Sequence, residues 1–263
     1  MAISYLLGEG VIRNLAEGIR LLKAEVEKGD ALAQYSLGFC YADGIGVKAD
    51  MKEAVRLYRL SAEQGYAPAQ NNLAVCYEYG DGVEKDIKEA IRLYRLSVEQ
   101  GHPEAQNNLG ICYERGSGVG KDVKEAVRLY RLSVNQGCAL AQHNLGICYQ
   151  YGQGVVKDTP EAVRLYDLSA EQGNAGAQYR LAVCYREGIG VAVDNSEASR
   201  FCKLAADQGH QEAITLLPSI SVVVGNPASF HSRGSTTPSG TPTTATPVVG
   251  MKEDETRHAP LSR

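Results

Sequence analysis

The hydrophobic and polar positions of this chain repeat with a period of 36 residues. Within each period, apolar residues recur every three or four positions in two stretches, the spacing that places them on one face of an α-helix. One such stretch covers residues 67–79, and the next follows Asp86 and ends before Gly101. Each period therefore predicts two helices, which we call helix A and helix B, joined by a short loop.

Glycine and aspartate mark the ends of these predicted helices. Gly80 and Gly82 follow helix A, where a backbone that tolerates positive φ lets the chain leave the helix and turn. Asp86 with Glu89 three residues later is the pattern of a capping box at the start of helix B. The glycine that ends helix B recurs every 36 residues, at Gly29, Gly65, Gly101, Gly137, Gly173 and Gly209.

The repeat predicts an all-α fold, a solenoid of 36-residue helix-turn-helix units. A hairpin with one apolar face is too small to fold alone, so each unit must stack on its neighbours. We expect the solenoid to cover residues 1–217. Its parts would be a half repeat at 1–29, five full repeats at 30–209 and a short capping helix at 210–217.

The two ends of the chain depart from the regular unit. Pro218 is expected to break the capping helix, and residues 218–263 have the Ser-, Thr- and Pro-rich composition of a disordered tail. The half repeat lacks nearly all of its helix A, so its helix B should expose an apolar face that includes Ile19 and Leu21. We expect this end to be covered by a partner, by self-association or by sequence from a longer gene product.

One unit carries a resemblance to a known family. The run AQNNLA at 69–74, the loop GDGV at 80–83 and the helix end EQG at 99–101 resemble the Sel-one-like repeat, a relative of the tetratricopeptide repeat. The resemblance covers residues 5–217 and implies a right-handed α/α superhelix whose helices A line the concave side. It also implies adaptor work in signalling, ubiquitin-linked degradation or membrane-associated complexes.

Composition and charge argue against several classes of function. The net charge is −4 and no region is markedly basic, which disfavours a nucleic-acid-binding protein. No apolar stretch approaches the roughly 18 residues of a membrane span, so we expect no membrane insertion. The N-terminus lacks the basic region of a secretory signal, and the seven cysteines indicate reduced thiols. These features predict a cytoplasmic protein.

The cysteines suggest a metal or redox site, but their spacing argues against one. Neighbouring helices lie roughly 8–10 Å apart, whereas two thiolates on one zinc ion are at most about 4.6 Å apart. Cysteine-rich members of the resembled family join paired cysteines within each unit, but here helix A carries one. We therefore expect buried, unreactive thiols, with no metal and no cofactor. The repeated cysteines are Cys40, Cys76, Cys112, Cys148 and Cys184.

Variable polar positions on helix A are the candidate partner contacts. An asparagine there offers both a donor and an acceptor to the backbone of an extended peptide. The alternative is an amide that bonds to the neighbouring unit. A third variable column contains Glu78, Glu114 and Gln150. The candidates are Tyr35, Asn71, Asn107, His143 and Tyr179 in one column, and Asn72, Asn108, Asn144 and Arg180 in the next.

The sequence therefore predicts a non-catalytic scaffold or adaptor that binds partner proteins or peptides on the concave helix A face. The alternative hypothesis is a regulatory subunit or fragment of a larger kinase or ubiquitin-ligase/ER-degradation assembly, docked through the incomplete N-terminal repeat. A third hypothesis is a hydrolase or peptidoglycan-active enzyme. That enzyme would need a buried acid/base pair in a cleft, for which the sequence shows no candidate.

Overall fold

A computed structural model of the chain describes residue 2 and residues 14–224. In the longer of these stretches the chain forms helices joined by short loops, and no strand. The helices are α1 (Leu15–Glu27), α2 (Ala31–Asp43), α3 (Met51–Glu63), α4 (Ala67–Tyr79), α5 (Ile87–Glu99), α6 (Pro103–Arg115), α7 (Val123–Val134), α8 (Ala139–Tyr151), α9 (Thr159–Glu171), α10 (Ala175–Glu187), α11 (Asn195–Asp207) and α12 (Gln211–Val224).

The helices form the solenoid of helix pairs that the 36-residue period predicts. Each even-numbered helix from α2 to α10 is a helix A, and it packs most extensively against the helix B that follows it. It packs less extensively against the helix B of the preceding unit. The predicted all-α repeat fold is thus confirmed. None of the helices in the described part of the chain has the length and apolar character needed to cross a membrane.

Polar side chains hold the two helices of each unit together. Gln100, which follows α5, donates from Nε2 to Oε1 of Gln70 in α4 at 2.8 Å. Ser97 donates its hydroxyl to the carbonyl of Ala67 at 2.8 Å. The glutamine pair recurs in the other full units, so each hairpin closes through the same contact.

The start of helix B differs from the predicted capping box in one respect. Asp86 accepts from the backbone N–H groups of Lys88 and Glu89, as expected of an N-cap. Glu89, however, forms a two-point ion pair with Arg92 at 2.6 and 2.8 Å. The prediction that Glu89 accepts from the backbone N–H of Asp86 is wrong, because this N–H already donates to the carbonyl of Tyr77.

The last helix is longer than predicted. We expected it to end before Pro218, but α12 passes through this proline to Val224. Proline removes one backbone hydrogen bond inside a helix. Ile220, one turn beyond the α12 residues Leu216 and Leu217, is buried in the apolar cluster that they share with α11, and this burial favours continuing the helix. The rest of the expected tail, residues 225–263, lies outside the described residues.

The apolar face expected at the N-terminal end is not open at its centre. Ile19 is 6% exposed and Leu22 is also buried, in one cluster with residues of α2. Part of the cover comes from the loop after α2, because a Cβ added at Gly46 would lie 3.1 Å from Cγ1 of Ile19. The expectation that Ile19 is exposed is therefore wrong, whereas Leu21 is half-buried. Residues 3–13 of the half repeat lie outside the described part of the chain.

Candidate partner-binding surface

The candidate residues lie along one side of the helices A, where the tyrosines of helices B reach the flanking columns. We call this surface the helix A face. Its central column is apolar and half-exposed, and it is flanked by the predicted polar columns on one side and by the Glu78 column on the other. The central column contains Phe39, Val75, Ile111, Ile147 and Val183.

Five asparagines on this face form one hydrogen-bonded chain across three units. Asn144 donates from Nδ2 to Oδ1 of Asn107 at 2.9 Å, and Asn107 donates to Asn108 at 3.3 Å. Asn108 then donates to Asn71 in the preceding unit at 3.0 Å, and Asn71 donates to Asn72 at 3.2 Å. Each asparagine donates to the next one in this order, from Asn144 at one end to Asn72 at the other. We call this chain the asparagine ladder.

The ladder divides the predicted asparagines into two classes. Asn71 and Asn107 are buried, and Asn107 is only 1% exposed. Their amides therefore join units, which is the alternative role weighed for this column, and a peptide cannot reach Asn107 without opening the ladder. Asn72, Asn108 and Asn144 are half-buried and present part of each amide on the helix A face.

The aromatic and basic members of the two columns lie at the ends of the face. The Tyr35 ring lies 5.3 Å from that of Tyr66, centroid to centroid, and Tyr179 stacks on His210 at 4.8 Å. Arg180 donates to the hydroxyl of Tyr151 at 3.2 Å. These side chains are half-buried, apart from the exposed Tyr151 and the buried His210.

His143 occupies the asparagine position of its unit, but it is not a member of the asparagine ladder. Its ring lies 6.0 Å from that of Tyr166. Burial, with smaller contributions from the charges of Arg180 and His210, lowers the pKa of His143 to about 3. The imidazole is therefore neutral at physiological pH and behaves as a neutral polar group, like the amides of the same column.

Sequence reasoning missed a second set of polar contacts on this face. The Tyr94 hydroxyl donates to Oε2 of Glu78 at 2.7 Å, and Tyr130 donates to Glu114 in the same way at 2.6 Å. Burial raises the pKa of Glu78, while the bond from Tyr94 lowers it by less. The signal was available, because the tyrosine column follows the variable Glu78 column by 16 residues in each of these units.

The repeated cysteines are buried beneath this face, as the sequence predicts. Burial raises the pKa of Cys76 and Cys112 to about 12, which disfavours the reactive thiolate at neutral pH. Within residues 14–224, no three His, Cys, Asp or Glu side chains are grouped so that they could hold a metal ion.

Comparison with known proteins identifies the repeat. A family model described as the Sel1 repeat matches six consecutive stretches of the chain. A comparison with curated proteins found no match. The six stretches are 1–29, 31–66, 67–102, 103–138, 139–174 and 175–210.

Solved structures show the same architecture. A Sel1 repeat protein from Oxalobacter formigenes is 34% identical with a TM-score of 0.71, over 78% of this chain and 84% of that one. A protective antigen of uropathogenic Escherichia coli, described as displaying an SLR fold, is 35% identical with a TM-score of 0.65. The match covers 83% of this chain but only 47% of the antigen. An immunity protein from Pseudomonas aeruginosa, at 19% identity and a TM-score of 0.57, shares the fold.

Proposed function

The chain belongs to the Sel1 repeat family, whose members are generally protein-interaction scaffolds, and we propose that it binds an extended segment of a partner protein along its helix A face. The proposal includes an adaptor role in the cytoplasm and no catalytic activity. The sequence predicted that partners contact both polar columns, and we now restrict the proposed contacts to the half-buried residues of these columns. These are Tyr35, Asn72, Asn108, His143, Asn144, Tyr179 and Arg180.

The half-exposed apolar column supports this proposal most directly. Val75, Ile111 and Ile147 follow one another at the same position of successive units and remain partly accessible after the units have stacked. An apolar strip bordered by hydrogen-bonding groups suits an extended peptide, whose side chains cover the strip while its backbone meets the border. Asn72, Asn108 and Asn144 provide the amide border.

The ladder supports the same proposal through rigidity. A binding surface that is already ordered loses less conformational entropy when a partner binds. Asn107 bonds to both Asn108 and Asn144, so these amides have a fixed arrangement before any partner binds. The alternative of docking through the N-terminal half repeat gains no support, because Ile19 and Leu22 are already covered within the chain.

The test uses peptide selection against the purified chain. Peptides of about twelve residues, selected from a random display library, would be measured by fluorescence anisotropy. Replacing two members of the apolar column, in the double variant Ile111→Ser/Ile147→Ser, should weaken their binding by about tenfold or more, since each side chain contributes about 1 kcal/mol or more of burial.

A matched control distinguishes this face from general apolar stickiness. Leu132 in α7 is an aliphatic side chain that is more accessible than these isoleucines, at 38% exposed, but it lies on a helix B. Leu132→Ser should leave the affinity within about twofold of wild type. Circular dichroism would confirm that both variants fold. Equal affinity of the selected peptides for wild type and for the double variant would refute the proposal.

A further inference from the structure

A second surface, on the side of the solenoid formed by helices B and the loops, carries a repeated arrangement of cations. In three consecutive units an arginine of helix B donates to a tyrosine hydroxyl of the next helix A. Arg59 reaches Tyr77 at 3.1 Å, and Arg95 reaches Tyr113 at 3.3 Å. The third arginine, Arg131, reaches Tyr149 at 3.0 Å.

A lysine in the following loop accompanies each of these tyrosines, eight residues after it. The three lysines are Lys85, Lys121 and Lys157. The arrangement stops in the next unit, where Asp167 and Val193 replace the arginine and the lysine together. Each of the three sites therefore has one arginine and one lysine, and the sites differ only in the neighbouring residues.

The third site lacks acidic residues that are present at equivalent positions of the other sites. Four residues after the arginine, the first two units have Glu63 and Glu99, whereas the third has Asn135. One residue before the loop lysine, the first unit has Glu84, whereas the third has Val156. Of the three sites, the one at Arg131 therefore has the least compensated positive charge.

This site is also a pocket. Arg131, Tyr149 and Lys157 line a surface cavity of about 460 Å³ together with the loop residues Gly154 and Val155. In the part of the chain that the structure describes, neither Arg131 nor Lys157 forms an ion pair with a carboxylate. Two cations thus line one cavity, and neither of them is held in an ion pair with a described residue.

The acidic and apolar groups at the rim define what the pocket accepts. The carboxylate of Asp158 also lines it, but it accepts the backbone N–H of Glu161 as the N-cap of α9. Val156 is 86% exposed at the rim. A single carboxylate can therefore meet Arg131 and Lys157 while an adjacent apolar side chain covers Val156.

We propose that the pocket at Arg131 and Lys157 binds an acidic segment of a partner protein, in which a carboxylate side chain is followed or preceded by an apolar one. Two cations with an apolar rim match such a segment better than a nucleic acid, which would need a continuous basic surface. Arg131 and Lys157 are the two cations among the residues that line the pocket. This site is separate from the helix A face and does not rest on it.

The experiment measures binding of a fluorescein-labelled peptide of sequence Gly-Leu-Glu-Leu-Glu-Gly to the full chain by anisotropy. Arg131→Gln and Lys157→Gln should each weaken binding by about fivefold or more, because each removes one charge-assisted contact. Added salt should weaken binding to wild type. The peptide with glutamine in place of both glutamates should bind at least about tenfold more weakly than the acidic peptide.

The chain supplies the control within itself. Arg95 makes the same tyrosine contact as Arg131, so Arg95→Gln should leave the affinity within about twofold. Ile111→Ser/Ile147→Ser should also leave it unchanged, which separates this site from the proposed helix A function. Equal losses in Arg95→Gln and Arg131→Gln, equal binding of the two peptides, or tighter binding of single-stranded DNA of similar length would each overturn the proposal.

Discussion

Asn144 donates a hydrogen bond to Asn107 at 2.9 Å across the boundary between two repeat units. Asn107 in turn donates to Asn108 within its own unit at 3.3 Å, so one nearly inaccessible amide accepts from one unit and donates within another. A buried amide with both functions satisfied ties the positions of two helices A to each other. The spacing of the helix A face therefore depends on a polar contact as well as on apolar packing.

Replacing this amide should destabilise the solenoid. Asn107→Ala leaves Nδ2 of Asn144 and Oδ1 of Asn108 without their partner, and we expect the free energy of unfolding to fall by about 1–3 kcal/mol. Urea titration followed by circular dichroism measures the change. Gln153→Ala, an exposed amide in a loop, should change the free energy by less than about 0.5 kcal/mol. Equal unfolding midpoints for the two variants would contradict a structural role of the ladder.

The Tyr94–Glu78 contact predicts a measurable pH dependence. Since burial raises the pKa of Glu78, the folded chain binds more protons than the unfolded chain above the ordinary glutamate pKa. Stability from this group is present at low pH and is lost as pH rises through the raised pKa. Tyr166 donates to a glutamine, Gln150, at the equivalent position and at the same 2.7 Å, so glutamine preserves the contact.

Glu78→Gln should therefore keep the fold and flatten this part of the stability profile. The slope attributable to one proton is at most about 1.4 kcal/mol per pH unit. Free energies of unfolding between about pH 4 and pH 7 would be compared for wild type, Glu78→Gln and the reciprocal variant Gln150→Glu. We expect Gln150→Glu to lower stability at pH 7, and parallel profiles for all three chains would refute the interpretation.

His143 predicts a pH dependence of opposite sign. Its pKa is lowered from 6.5 to about 3 in the folded chain, so the unfolded chain takes up the proton first as the pH falls. Stability from this group is present above pH 6.5 and is lost progressively as pH falls towards 3.

His143→Asn introduces the side chain found at Asn107 in the same column and removes this group's titration. The variant should lose less stability than wild type between pH 6.5 and 4, by at most about 1.4 kcal/mol per pH unit. Thermal unfolding followed by circular dichroism at several pH values provides the test. A variant whose acid sensitivity equals that of wild type would show that other groups dominate.

Thiol reactivity tests the burial of the cysteine column. Of the seven cysteines, Cys138 is half-buried and the other six are buried. Burial raises the pKa of Cys148 to about 12, so its thiolate is scarce at pH 8. We expect the native chain to react rapidly with Ellman's reagent at one thiol, and the chain unfolded in guanidinium to react at all seven.

Cys138→Ser is the control, because it should abolish the rapid phase without changing the fold. The remaining buried thiols should react only at the rate at which the chain opens. Rapid modification of two or more thiols in native Cys138→Ser would contradict the buried column.

Much of the architecture follows from local sequence signals repeated in register. The helix A expected at residues 67–79 is α4, and the helix expected between Asp86 and Gly101 is α5. Asp86 caps α5 through the bonds that its carboxylate was expected to accept. These features depend on a few neighbouring residues, and each unit repeats the same local evidence, so the period alone was enough to determine them.

The tertiary structure decided which polar groups face a neighbour and which remain accessible. The 36-residue period places Asn107 and Asn108 on the same helix, but only the packing of three units shows that the first is buried and the second half-exposed. Glu89 pairs with Arg92 because the backbone N–H of Asp86, which was expected to donate to Glu89, donates to the carbonyl of Tyr77 instead.

The ends of the chain show the same division. The sequence by itself determined the period, the helix pairs and the buried thiols, since these rest on spacing along one helix. Only the tertiary structure decided that α12 passes through Pro218 and that Ile19 is covered, since both depend on contacts with the neighbouring helix or loop. Adjacent helical positions point about 100° apart, so their exposure depends on how each helix is rotated against its neighbours, which the repeat period does not specify.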